Sequence, residues 1–184
     1  MPNRVFYLPL FVVLIAILSF RPANKEWKSF QPANGNFVVM MPGEPELKEK
    51  IVNSVLGEIK LTMYMYQPPS GSDDNVAYAV SYMDCPADKI TSDSVSLIKD
   101  FFDNSRDGSL KAIQGKLLTE EIIKYKNFPG REQRVDFRNG MAVIKLRHYL
   151  VNNRLYSLQV ITPTDNNFNK SINKFLDSFN LTSK

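Results

Sequence analysis

The sequence predicts an α+β domain built on an antiparallel sheet flanked by helices, and three stretches carry that prediction. Between Phe128 and Pro163 two tight turns, Asn139-Gly140 and Asn152-Asn153, separate three arms rich in β-branched and aromatic residues, the pattern of a meander. From Glu58 to Gln67 residues alternate strictly: Ile59, Leu61, Met63 and Met65 share one side, Lys60, Thr62, Tyr64 and Tyr66 the other. Twice, after Ser92-Asp93 and after Thr164-Asp165, the period lengthens to that of a helix.

A two-residue turn sets which residues face each other. Across Asn139-Gly140, Arg138 faces Met141, Phe137 faces Ala142, Val135 faces Ile144 and Gln133 faces Leu146, the last three on a largely apolar side. The opposite side pairs Asp136 with Val143, Arg134 with Lys145 and Glu132 with Arg147. Across Asn152-Asn153, Tyr149 faces Tyr156, Arg147 faces Leu158 and Lys145 faces Val160. On the other side Leu150 meets Leu155, His148 meets Ser157, Leu146 meets Gln159 and Ile144 meets Ile161. Neither side is purely polar, so both are expected to be covered at least in part.

The remaining elements follow in chain order. A first strand is read over Asn36 to Met41 and ends at Pro42-Gly43-Glu44-Pro45, since two prolines around a glycine cannot continue a ladder. Leu47 to Asn53 reads as the next strand, with a turn near Val55-Leu56-Gly57 leading into the alternating run. A loop over Pro68 to Asp74 precedes a strand marked by Val76, Tyr78, Val80 and Tyr82, which Pro86 ends. A helix capped by Ser92 or Asp93 carries Ile98, Phe101, Phe102, Ala112 and Ile113 on one side, with Gly108 marking a break or an early end. A strand over Lys116 to Tyr125 follows. The last helix, capped by Thr164 or Asp165, is expected to bury Phe168, Ile172, Phe175, Leu176 and Phe179 against the sheet.

Composition bounds the class. At 184 residues, 43% hydrophobic and 23% charged, the chain can bury a core as one domain and is not of disordered type. Arg4 followed by the uncharged, apolar run from Val5 to Phe20 has the layout of a secretory leader, and that run is short for a transmembrane helix. The division expected is therefore a signal peptide or membrane anchor over 1–22 and a single domain over 23–184. Export to the periplasm or the exterior is expected, the alternative being an inner-membrane anchor through 5–20. A net charge of +4 permits contact with an anionic membrane surface but does not argue for nucleic acid, whose binders cluster their cations more densely.

Catalytic signatures are sparse. The lone cysteine, Cys85, has no partner for an intramolecular disulfide and reads as a small apolar residue at a strand end. His148 is the only histidine, so a histidine-based metal cluster or a Cys-His nucleophile is not expected; beside Ser157, it is the one candidate for a small extracytoplasmic hydrolase. The dispersed glycines form no phosphate loop, and no cofactor or metal is expected. Two surfaces stand out. Glu132, Arg134, Lys145 and Arg147 form a charged set in which Arg134 and Lys145 oppose like charges, which calls for an acidic neighbour inside the fold or on a partner. Tyr64, Tyr66, Tyr78 and Tyr82 read as cross-strand packing or as a stacking surface for a ring-shaped ligand.

Several motifs resemble those of the PsbP-like proteins, named after the extrinsic photosystem II subunit. They are Trp27-x-x-Phe30, Asn36-Phe37-Val38-Val39 running into Met41-Pro42-Gly43-x-Pro45, and Phe128-Pro129-Gly130-Arg131-Glu132. Arg147-x-Tyr149-Leu150, Asn153-Arg154-Leu155-Tyr156 and Phe175-Leu176-Asp177-Ser178-Phe179 complete the set. The resemblance implies an α/β/α sandwich of a kind whose members mostly act as binding or assembly subunits rather than catalysts; together with the leader and the missing catalytic set, it leads to the expectation of a non-enzymatic binding or assembly module of the bacterial cell envelope. The expected partner is another envelope protein, met through Glu132, Arg134, Lys145 and Arg147. The chain departs from the lipidated envelope members in having no cysteine near the end of its apolar run.

Overall fold

The computed structural model describes residues 26–54 and 56–182; the leader expected over 1–22 lies outside them. Three strands, β7 (Phe128–Phe137), β8 (Ala142–Val151) and β9 (Arg154–Pro163), form the meander in the register that the two turns dictate. The first ladder closes at Phe137 and Ala142. Arg138, Asn139 and Gly140 all take positive φ (54°, 53° and 85°), so Arg138 and Met141 belong to the turn and not to the ladder. Asparagine and glycine supply that left-handed backbone at least cost.

Four further strands extend the sheet. β6 (Lys116–Tyr125) pairs with β7, while β5 (Ala77–Asp84) pairs with β9 and is followed by β4 (Gly57–Tyr66) and β3 (Glu46–Ser54). The order is β3-β4-β5-β9-β8-β7-β6, antiparallel throughout. Gly130, at the start of β7, has a spatial reason: a Cβ there would lie 2.4 Å from the His148 carbonyl oxygen and 2.7 Å from the Tyr149 ring.

The strand over Phe37–Met41, β2, does not join this sheet. With β1 (Lys28–Phe30) and β10 (Asn180–Leu181) it makes a small sheet of order β1-β2-β10. Phe37, Val39 and Met41 are buried and alternate with half-buried Val38 and Met40, the period of a strand with one face on a core.

Two helices complete the described residues. α1 (Val95–Ile113) runs through Gly108 without a break, because an exposed interior glycine costs only about 1 kcal/mol relative to alanine. The helix stops instead where Gln114 turns left-handed (φ 52°). α2 (Lys170–Leu176) begins later than Thr164-Asp165 implies: those residues form a separate 3₁₀ turn, and the cap is Asn169, whose side chain accepts from the Ser171 and Ile172 amides. Phe168 therefore precedes the helix and is 80% exposed, not part of the core stripe.

Both faces of the large sheet carry cover. On the first, Tyr78, Val80, Tyr149, Tyr156, Leu158 and Val160 pack under β2 and under Ile172, Phe175 and Leu176 of α2. Phe179 stacks on Tyr149 (5.8 Å between centroids, 18° between planes), and Tyr78 lies between Trp27 and Phe175. On the second, Phe102 of α1 joins Ile59, Cys85, Ile90, Leu150 and Leu155. Helices on each side describe this only loosely: the first face is roofed as much by the small sheet as by the seven residues of α2.

Candidate functional site

The register of β7 and β8 brings the four charged residues of the first face together beside α2. Glu132 is the hub. Its Oε1 lies 3.0 Å from Lys145 Nζ and its Oε2 accepts from Arg147 Nε, while Arg147 Nη1 also donates to Asp177 at 2.6 Å. The like charges facing across the ladder part company: Lys145 turns to Glu132, and Arg134 donates to Asn167 with its guanidinium 4.3 Å from the centre of the Phe168 ring. Burial pushes the Glu132 carboxyl up, but hydrogen bonds from Arg147 and Lys145 and their charges outweigh it and hold the group below its ordinary value. Asp136 takes no part, accepting instead from the Gly140 amide at 2.7 Å.

His148 sits on the second face with its Nδ1 2.7 Å from Ser157 Oγ. Glu120, the carboxylate whose charge reaches the ring, accepts instead from Gln133 Nε2 at 2.6 Å and from Arg106 Nη1 at 2.9 Å. A hydroxyl is thus at hand while that acid is held elsewhere. Burial lowers the imidazole pKa to about 4, with Glu120 opposing, so the ring is neutral at pH 7. Because the folded value lies below the unfolded one of 6.5, the associated stability is complete above pH 6.5 and is lost as pH falls through the folded value. With part of the residue still in contact with water, urea unfolding is expected to show a loss of about 1–3 kcal/mol between those limits. A His148→Gln protein should flatten the curve in that window; an unaltered slope would mean that the ring is solvated and the shift absent.

The four tyrosines occupy adjacent strands, with Tyr66 facing Tyr78 and Thr62 facing Tyr82. They serve as packing: Tyr64 meets Phe30, Tyr82 meets Phe37 and Tyr156, and Tyr78 is wholly buried with its hydroxyl bonded to Asp73 and Asn75. Cys85 is buried, and burial pushes its thiol up to about 11, Asp84 adding to the shift, which leaves little thiolate at neutral pH. Among the described residues no three His, Cys, Asp or Glu side chains are placed to hold one metal ion. Among them, too, no helix is long and apolar enough to cross a membrane.

No family model matches the chain, and no curated protein matches it. Among solved structures it is similar to the solution structure of cyanobacterial PsbP (CyanoP) from Synechocystis sp. PCC 6803, the family that the sequence motifs resemble. The identity is 13% and the TM-score 0.46, with 85% of this chain and 93% of that chain covered. It is also similar to a protein of unknown function from Pseudomonas aeruginosa at 7% identity and a TM-score of 0.34, covering 76% of this chain and 85% of that one. At these identities and scores neither likeness bears on role.

One arrangement escapes a sequence reading. Arg154 donates to both oxygens of Asp84 (2.5 and 2.7 Å) and to the carbonyl oxygens of Asn34 and Gly35 (3.1 and 3.4 Å), with its guanidinium 4.5 Å from the centre of the Tyr82 ring. Tyr156 donates to Gly35 as well, at 3.0 Å. Asp84 and Arg154 are seventy residues apart and meet only because β5 pairs with β9, a neighbourhood that no local signal announces.

Proposed function

We propose that this chain is an exported, non-enzymatic binding or assembly module of the bacterial cell envelope that holds another protein against the β7–β8 charged surface. The observation that carries the reading is Phe168, 80% exposed and seated on the Arg134 guanidinium at the border of that surface. A large ring left in water adds almost nothing to folding, whereas aromatic and arginine side chains dominate the energetics of protein interfaces. Met141, 64% exposed, lies in the adjoining turn, which Thr164 ties to the segment leading to Phe168 by donating to the Gly140 carbonyl at 2.7 Å. The cations of the set, Arg134, Lys145 and Arg147, outnumber the carboxylates they meet, Glu132 and Asp177, so an acidic partner is favoured. Geometry at His148, where the carboxylate that acts on the ring is bonded to Arg106 and Gln133, supports the non-enzymatic half of the reading.

Crosslinking of intact envelopes followed by purification of the chain tests it. A reproducible partner should be recovered, and Phe168→Ala combined with Arg134→Glu should lower its yield about tenfold, as the loss of an interface anchor does. The melting temperature of the variant should move by only a few degrees, since the ring is outside the core. Recovery of the chain alone would end this reading.

A further inference from the structure

The Asp84–Arg154 pair stands as a ridge between two depressions of about 330 and 310 Å³ on one surface of the molecule. These volumes fall at the lower end of the range for small-molecule sites. Both open over strand ends and a sheet face; where the first reaches β10, the edge of the small sheet, the Leu181 amide donates to the Tyr125 hydroxyl at 3.1 Å and the Thr182 amide to the Asn36 carbonyl at 3.1 Å, so these amides are already taken and not open to an added strand. Beyond the shared ridge, Asn36, Asn152, Asn153, Tyr156 and Thr182 help line the first, and Asn34, Glu49, Lys60, Thr62 and Tyr82 the second.

The charges of this surface cancel in pairs. Arg154 is matched bidentately by Asp84, and Lys60 by Glu49 at 2.8 Å, so neither a free anion nor a free cation finds an uncompensated counter-charge. Hydrogen-bonding capacity nonetheless remains. Asp84 uses two of its roughly four acceptor directions, while the Arg154 guanidinium is taken up by Asp84, the Asn34 and Gly35 carbonyls and Tyr156. The side-chain amides of Asn34, Asn36 and Asn152 have no protein partner among the described residues. The framework is also fixed in advance: Asn36 and Asn152 hold left-handed turns (φ 55° and 52°), Asn153 donates to the Cys85 carbonyl at 2.7 Å, and Arg154 is clamped on four sides. Donors and acceptors that are planar, paired and rigid, with no net charge to satisfy, suit a ligand that is neutral and carries hydroxyls in rows.

From this juxtaposition we propose that the two depressions form adjoining subsites for a neutral oligosaccharide, which crosses the Asp84–Arg154 ridge with one sugar ring in each. The site lies apart from Phe168 and Arg134 and involves no protein partner, so it and the docking reading stand or fall separately. Titration of the full-length isotope-labelled protein with maltotriose, cellotriose and chitotriose, each to about 20 mM, is the test, because a polar ligand lying in shallow, solvent-facing depressions gains little over the cost of desolvation and ordering and calls for high concentration. At least one trisaccharide should give saturable shifts at Asp84, Arg154 and the side-chain amides of Asn36 and Asn152. Asn36→Gly with Asn152→Gly, which keeps the left-handed turns and removes both amides, should weaken that binding about tenfold or more. The assignment fails if no trisaccharide gives a saturable shift, if only inorganic phosphate or glycylglycine does, or if the double variant binds as tightly as the parent.

Discussion

A Phe37→Ala protein is expected to unfold with about 3–5 kcal/mol less free energy than the parent, the largest loss foreseen for any single change in this chain. Phe37 is wholly buried and shares ring contacts with Phe179, Tyr156 and Tyr82 at 5.8, 6.0 and 6.5 Å, so it joins the small sheet, the meander and the chain end beyond α2 at one point. Truncation removes the ring's burial and leaves a cavity between two sheets, and neither can close in without breaking its own ladder. The neighbours make collapse harder: β2 pairs with β1 on one side and β10 on the other, which pins its height above the large sheet. Urea denaturation monitored by both Trp27 fluorescence and far-ultraviolet circular dichroism checks this, since Trp27 packs on Tyr78 in the same layer. Coincident transitions with a lowered midpoint are expected; a loss below about 1 kcal/mol would show that the small sheet is an appendage and not part of the core.

How far the sequence discloses this architecture depends on whether the cause is local. Asn139-Gly140 and Asn152-Asn153 are local causes, and the pairs they dictate, from Glu132 with Arg147 to Ile144 with Ile161, are the pairs observed. The alternation from Ile59 to Met65 likewise needs no knowledge of its neighbours. By contrast nothing in Phe37-Val38-Val39-Met40-Met41 says which sheet it joins, because a half-buried strand looks the same in either. Phe168 shows a different failure. It shares the spacing of Ile172, Phe175 and Phe179, yet the helix start is fixed by the side chain of Asn169, and a cap is invisible to periodicity. The last of the sequence motifs that resemble a family is structural throughout. In Phe175-Leu176-Asp177-Ser178-Phe179 the apolar members are core, Asp177 accepts from Arg147, and Ser178 accepts from the Met40 amide at 2.9 Å. The charged set was legible as facing pairs, whereas Asp177 and Asn167, which complete it, lie thirty or more residues further along the chain.

Replacing Glu132 by glutamine is expected to cost about 2–3 kcal/mol, somewhat less than the removal of one partner from a fully buried ion pair, because the side chains involved remain 18–20% exposed. The neutral amide keeps the volume of the carboxylate, so the loss reports charge: Lys145 and Arg147 would face each other's field with only Asp177, itself 62% exposed, to offset it. The pH dependence supplies a second reading of the same group. Its folded pKa lies below the ordinary 4.5, so its contribution is complete above that value and disappears as pH falls through the folded one. Glu132→Gln should therefore be less stable than the parent at pH 7 and should converge on it in strong acid, where the parent carboxyl is protonated as well. That window lies at the acid side of the one assigned to His148, whose ring charges between 6.5 and about 4, so the two groups can be separated in one acid titration of stability. A double variant carrying Arg147→Met as well should recover part of the loss, since it withdraws the cation left without its main partner. A Glu132→Gln protein as stable as the parent at pH 7 would mean that the set is solvated and that its ion pairs add nothing to folding.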